Sequence, residues 1–417
     1  MKTRNMEKNP IGIYIHIPFC EAKCAYCDFL SAPSTSANKK RYVDALIQQI
    51  KEYSYLKEEY YVRTIFIGGG TPSSIEPMDI RRILETVYET FAVEGDRSNV
   101  DRQQTLQDGN DIEITIEANP GTLTREKLLI YIKSGINRIS MGLQSVNNNE
   151  LKLLGRIHTY QQFEENYHLA RECGFTNINI DLMSALPNQT VATWENTLKT
   201  VVKLNPEHIS AYSLIIEEGT PFYERYAQGD ELPSEEEDRQ MYYLTKNLLK
   251  EAGYERYEIS NYAKAGYESK HNSSYWERID YIGFGLGASS CLQNTRFHNE
   301  EDLMRYIVQG EYLQSQDVCS TDENKIENPI KKFEQQDVQQ LTLAQQMEEY
   351  MFLGLRMMKG VDISEFEHQF EVQFETIYGN VVKEMISDDL LVRKNEYLML
   401  TERGIDLSNY VMSEFLL

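Results

Sequence analysis

The sequence predicts an α/β fold, an open (β/α)6 three-quarter barrel followed by a smaller, mainly helical, winged-helix-like domain. Three observations predict it. Six short runs rich in β-branched and aromatic residues alternate with helix-period segments between Ile11 and Tyr212, the pattern of a parallel sheet with helices outside. Six such units are too few to close an eight-stranded barrel. After Thr220 the alternation stops and helical patterns dominate. Ligands of such sheets sit at the C-terminal ends of the strands, and the chemistry-bearing motifs of this chain all fall there.

The first strand carries Ile11, Ile13, Tyr14, Ile15 and Ile17 and ends at Pro18, which has no N–H to donate to a ladder. Cys20, Cys24 and Cys27 follow on a loop with the spacing C-x3-C-x2-C, close enough to converge on one small object. Disulfide pairing would leave one thiol over. A structural zinc site wants four ligands, so zinc would need His16 or a distant residue beside the three cysteines. Three thiolates also suit a [4Fe-4S] cluster with one iron left open to a small molecule, although most such clusters take four cysteines.

A helix is expected from Asn38 to Tyr60, with Tyr42, Leu46, Ile47 and Ile50 at helical spacing. The second strand, Arg63 to Ile67, runs straight into Gly68-Gly69-Gly70-Thr71-Pro72, where missing Cβ atoms let the backbone approach a ligand. A helix follows from Pro77 to Phe91. The third strand, Asp111 to Glu117, ends in Ala118-Asn119-Pro120, and a carboxylate there can hold an amine or hydroxyls. The fourth spans Ile136 to Met141 and leads to Gln144; the fifth spans Asn177 to Asp181 and the sixth His208 to Tyr212. Helices are expected at Arg125 to Ser134, Tyr160 to Cys173 and Val191 to Leu204.

Two stretches read as insertions. Residues 94–110 hold almost no apolar side chains and predict a mobile surface loop. Residues 317–340, rich in Asp, Glu, Gln, Lys and Asn, predict a solvated link or exposed helix. Between them lie a helix from Glu235 to Ala252 and an irregular stretch from Tyr254 to Ser290. An apolar helix begins at Leu343, then two helices, a hairpin at Leu391 to Leu400 and a last helix from Gly404. The expected division is a core at 1–225, a connecting region at 226–340 and a C-terminal domain at 341–417.

Composition bounds the function. The 417 residues are 41% hydrophobic and 26% charged, as in an ordinary globular protein. No apolar run approaches the ~20 residues that span a bilayer, and no apolar signal core opens the chain, so a cytoplasmic setting is expected, with only transient membrane-protein contact. That reducing compartment suits unpaired thiols. Cys173, Cys291 and Cys319 stand alone and read as small apolar residues. Net charge is −23, from 42 Lys+Arg against 65 Asp+Glu, which disfavours extended nucleic-acid binding. The acidic run Ser234 to Asp238 reads as a solvated helix start.

With an aromatic residue, Tyr26, just before its last cysteine, the C-x3-C-x2-C string resembles the signature of radical S-adenosylmethionine (SAM) enzymes. The longer string Y-x-H-I-P-F-C, Tyr14 to Cys20, is similar to the oxygen-independent coproporphyrinogen III oxidase group. The resemblance implies that Cys20, Cys24 and Cys27 hold the cluster and that the open iron chelates SAM, whose reductive cleavage gives a 5′-deoxyadenosyl radical. It also implies SAM contacts from Tyr14, Tyr26, Gly69, Gly70, Thr71, Glu117, Gln144, Arg156 and Asp181.

Within that group the branch is set by other residues. Asp28-Phe29 stands where the oxidases carry Gly-Cys, and the cluster loop begins almost at the start of the chain. His271-Asn272-Ser-Ser-Tyr275-Trp276 resembles the H-N-x-x-Y-W string of the HemW-type heme chaperones. That resemblance implies heme as cargo, a respiratory acceptor protein, and His271, Tyr275 and Trp276 as heme contacts. Radical decarboxylation of coproporphyrinogen III, or another tetrapyrrole reaction, is the alternative expectation. An RNA-modifying radical enzyme is the weaker third.

Overall fold

In β1 (Asn9–Ile17) the side chains of Ile11, Ile13, Ile15 and Ile17 are fully buried, while Gly12, Tyr14 and His16 alternate onto the opposite, interior face. The computed structural model describes residues 8–93, 112–318 and 333–417. The predicted loop at 94–110, Cys319 and part of the predicted link at 317–340 lie outside them.

Five more parallel strands follow in the expected order: β2 (Tyr60–Gly69), β3 (Glu113–Ala118), β4 (Arg138–Gln144), β5 (Ile178–Ser184) and β6 (His208–Ser213). Each pairs with its predecessor in parallel register. Helices α1 (Ser36–Glu52), α2 (Pro77–Thr90), α3 (Arg125–Lys133), α4 (Asn148–Leu153), α5 (Tyr160–Cys173) and α6 (Val191–Leu204) fill the gaps. One hydrophobic core joins the outward-facing isoleucines to Leu46, Leu84, Phe163 and Trp194 of these helices. The helix expected to run to Tyr60 stops at Glu52. A 3-10 turn, Ser54–Glu58, intervenes, and Tyr60 already pairs with Asn9 as the first rung of β2.

The sheet does not end at six strands. After α7 (Pro221–Tyr226) and α8 (Glu235–Glu251), the short β7 (Glu255–Arg256) and β8 (Asn261–Ala263) extend it antiparallel beyond β6. Helix α9 (Lys270–Trp276) is followed by β9 (Tyr281–Phe284), which pairs parallel with β1 on the other edge. Strands β10 (Ser289–Leu292) and β11 (Thr295–His298), helix α10 (Leu303–Val318) and strand β12 (Gln336–Gln340) complete that side. The order is β12-β11-β10-β9-β1-β2-β3-β4-β5-β6-β8-β7. The stretch Tyr254 to Ser290 is thus regular, and the end of the expected polar link is an edge strand. These strands hold two to five residues, too short for a periodic signal, and a mostly polar edge strand blunts unwanted pairing.

Helix α9 lies across the N-terminal end of the barrel. The Glu113 carboxylate, at the start of β3, accepts hydrogen bonds at 3.0 Å from the backbone N–H groups of Lys270 and His271, an acid where the helix dipole favours one.

The C-terminal part has its own core of Met351, Phe366, Phe374, Tyr378, Leu398 and Phe415. It comprises α11 (Leu343–Gly354), β13 (Val361–Asp362), α12 (Ile363–Phe370), α13 (Phe374–Ser387), the hairpin β14 (Leu391–Lys394) and β15 (Tyr397–Leu400), then α14 (Glu402–Asp406) and α15 (Ser408–Ser413). The helices and hairpin follow the expected order, except that the last helix is two short ones beginning at Glu402 and β13 adds a third strand to the hairpin.

Candidate functional site at the strand ends

The loop after β1 is closed at its base by Cys20 N–H donating to the Ala32 carbonyl (3.2 Å) and Ala32 N–H to the Pro18 carbonyl (3.0 Å). The loop after β2 lies directly against it, Gly70 N–H bonding Ile17 and Thr71 N–H bonding Phe19 at 2.8 Å. Two glycines permit that approach. Gly69 has φ +110°, and a Cβ there would stand 2.5 Å from the His16 ring; at Gly70 it would stand 2.8 Å from the Phe19 carbonyl and 3.0 Å from Cys20 Sγ. A side chain at Gly69 would have to displace the His16 ring, and one at Gly70 the cysteine loop.

A cleft of about 310 Å³ opens between these loops and the ends of β3 to β6. Cys20, Cys24, Cys27, Tyr26, Gly69, Gly70, Thr71, Glu117, Gln144, Arg156 and Asp181 all line it. Of the residues expected to contact SAM, only Tyr14 lies elsewhere. Its ring stands over Phe66, its hydroxyl pairs with His16 Nδ1 at 2.9 Å, and it lines a neighbouring cleft with Tyr275 and Tyr281. The position of Tyr14 in β1 points it to the barrel interior one pleat below His16, too deep for the first cleft.

A chain of hydrogen bonds ties two of the cysteines to the strand ends. Thr71 Oγ1 donates to Cys20 Sγ (3.6 Å), Asn119 Nδ2 donates to Thr71 Oγ1 (2.8 Å), and Arg156 Nη2 donates to Asn119 Oδ1 and to the Gly142 carbonyl (2.6 Å each). Arg156 Nη1 then donates to Cys24 Sγ at 3.5 Å. Asn119 stands at the centre of this chain, and its place at the end of β3 is the sequence signal for it. Tyr212, whose hydroxyl donates to Gln144 Oε1 at 3.1 Å, and Ser140 and Lys23 are further lining residues, with no motif spacing to single them out. Gln144 itself has φ +72° beside a register shift in β4, a turn that swings its amide into the cleft.

The acids are shaped by burial. Glu117 Oε2 accepts from Gly69 N–H at 3.0 Å, yet burial, with the Asp181 charge adding, pushes its pKa up to about 8. Burial also raises Asp181, opposed by hydrogen bonds from Asn179 and Ser140. Burial raises the Cys27 thiol, with the neighbouring Lys23 acting the other way. Among the described residues, no group of three or more His, Cys, Asp or Glu side chains is gathered closely enough for a single metal ion. Cys173 and Cys291 are free and half-buried.

The expected heme contacts do not share one site. His271 is buried against Phe66; its Nδ1 pairs with Thr64 Oγ1 (2.8 Å) and its Nε2 with the Tyr275 hydroxyl (2.9 Å). Neither ring nitrogen is free for iron in this arrangement. Trp276 stacks under the Arg356 guanidinium of the C-terminal part at 4.3 Å. Tyr275 lines the cleft it shares with Tyr14 and Tyr281.

The chain matches the Radical SAM superfamily over residues 14–201 and the HemN C-terminal domain over residues 341–407. It is 35% identical over 413 residues to heme chaperone HemW of Lactococcus lactis, covering 99% of both chains. The chain belongs to the HemW family. The heme chaperone HemW of Bacillus subtilis is likewise 35% identical, over 97% of this chain and 98% of its own. Among solved structures, the coproporphyrinogen III oxidase HemN of Escherichia coli superposes with a TM-score of 0.78 over 98% of this chain and 90% of its own, at 23% identity. That likeness establishes the shared fold; the sequence kinship lies with HemW. Membership of the radical SAM superfamily implies a [4Fe-4S] cluster and SAM. Among the described residues no helix is long and apolar enough to cross a membrane.

Proposed function

We propose that this protein is a heme chaperone which keeps a radical SAM site, its cluster held by Cys20, Cys24 and Cys27. The supporting observation is the hydrogen-bonded chain from Cys20 through Thr71, Asn119 and Arg156 to Cys24, which fixes two thiols on the rim of a cleft roomy enough for a second, polar ligand. Thiols that stand apart around a shared space suit a cluster, which spreads its ligands over several irons, better than a single zinc ion. Bound there, the cluster and SAM would supply one-electron chemistry.

The chain's own residues bind and orient. Gly69, Gly70 and Thr71 leave backbone room along the cluster side. Glu117 and Asp181 offer carboxylates at the strand ends, and Gln144 offers an amide. Arg156 places positive charge beside Cys24 and donates a hydrogen bond to its sulfur, and Tyr26 walls the cleft. Heme is the cargo, a respiratory protein its acceptor, and a cytoplasmic setting keeps the thiols reduced. The part at 1–225 carries the site, that at 226–340 connects, and that at 341–417 packs against helix α9 through Arg356 and Trp276.

The test is heme and porphyrinogen handling by the same anaerobically reconstituted sample. Stoichiometric heme uptake without porphyrinogen turnover is expected. Decarboxylated, vinyl-bearing product formed with SAM consumption would overturn the chaperone reading in favour of an oxidase.

A further inference from the structure

We propose that the cleft beside the cluster loop seats the flat face of an iron tetrapyrrole, with the Tyr281 phenol as iron ligand; this rests on the heme-chaperone reading above. The cleft, about 360 Å³, is lined by Tyr14, Leu30, Tyr275, Tyr281, Leu286 and Ser289, with the small Gly287 and Ala288 between the last two. Phe29 lines both this cleft and the cysteine pocket, so the cluster loop is a wall of both. Phe29 and Leu30, 61% and 41% exposed, form an adjacent apolar pair that a planar apolar ligand would cover.

The polar atoms of the cleft point the same way. The Tyr14 hydroxyl is engaged with His16 Nδ1, His16 Nε2 pairs with the Leu30 carbonyl (3.0 Å), and the Tyr275 hydroxyl is engaged with His271. Among the described residues the Tyr281 hydroxyl has no hydrogen-bond partner, while its ring meets Tyr275 edge-on at 4.7 Å. No Lys, Arg, Asp or Glu lines the cleft, so a charged, polar molecule such as SAM suits it poorly. A phenolate oxygen is an established axial ligand of heme iron. On binding ferric heme, an Fe–O bond forms, the phenol O–H proton leaves to solvent and the iron stays ferric. His271 then acts as a positioning residue, holding Tyr275 as the wall against which Tyr281 stands.

The test titrates ferric heme and metal-free protoporphyrin into the reconstituted full-length protein and its variants Ser289→Trp and Tyr281→Phe, with iron content and thermal melting as checks of folding. Ser289 is exposed, so a tryptophan there blocks the cleft without entering the core. Ser289→Trp should weaken both ligands roughly tenfold or more. Tyr281→Phe should weaken ferric heme by a similar factor, remove the phenolate-to-iron charge-transfer band and leave protoporphyrin unchanged. Parent-like heme affinity in Ser289→Trp would overturn the seat, and an unchanged charge-transfer band in Tyr281→Phe would overturn the ligand. Parent protein that takes up no heme at all would instead overturn the chaperone reading itself.

Discussion

Gly70 leaves no space for a methyl group, because a Cβ there meets both a backbone oxygen and Cys20 Sγ. Gly70→Ala must push the two loops apart, at a cost of about 1–3 kcal/mol, and should lower the iron bound per chain more than it lowers the melting temperature. Glu117 gives a pH signature. Its folded pKa of about 8 exceeds its ordinary 4.5, so folding binds a proton and stability falls as pH rises from about 4.5 to about 8. Glu117→Gln removes that penalty. In the ligand-free protein the variant should be more stable than the parent at pH 8, by roughly 4 kcal/mol, and equal to it near pH 4.5; thermal melts across pH check this. The cysteines and the triple glycine were legible in the sequence because their chemistry is set by local spacing. The roles of Tyr14 and His271 were not, since the partners that bury them, Phe66 and Thr64, are brought in by the tertiary fold.

Helix α9 is the element whose motif and placement diverge most. The H-N-x-x-Y-W residues form a plug whose histidine faces the barrel floor and whose tryptophan faces the C-terminal part. His271→Ala leaves the Thr64 and Tyr275 hydroxyls unpaired around a cavity, so unfolding in denaturant should show a loss of about 2–4 kcal/mol, with cluster assembly retained. The histidine is buried and neutral, its pKa lowered to about 3 by burial. Because the folded value lies below the ordinary 6.5, its contribution is lost as pH falls from 6.5 toward 3. The six main strands were readable from dense runs such as Ile11 to Ile17. The six added strands were not, because β9 is set by pairing with β1 and β12 is the wholly polar-ended QDVQQ.

At the scale of the whole molecule, the main core and the C-terminal core meet across a seam that includes strongly placed charges. Arg356 covers Trp276 and reaches the buried Glu258 carboxylate at 3.6 Å, and Lys359 pairs with Glu277 at 2.6 Å. Arg356→Ala removes the cation beside Glu258 Oε2, with Oε1 still bonded by Ser260 and Asn261, and should cost about 2–3 kcal/mol of stability. Arg393→Ala, which breaks the exposed pair with Glu375, should change it by less than about 1 kcal/mol. Paired denaturant titrations would separate the two.

The central claim, three cysteines leaving one iron open in a cleft shaped for SAM, is tested most directly by iron analysis with electron paramagnetic resonance of the anaerobically reconstituted, reduced protein. The parent and Cys173→Ala should carry about four irons per chain and show a spectrum that shifts when SAM is added, while Cys20→Ala, Cys24→Ala and Cys27→Ala lose the cluster. Zinc in place of iron, or a four-iron spectrum indifferent to SAM, would contradict the account.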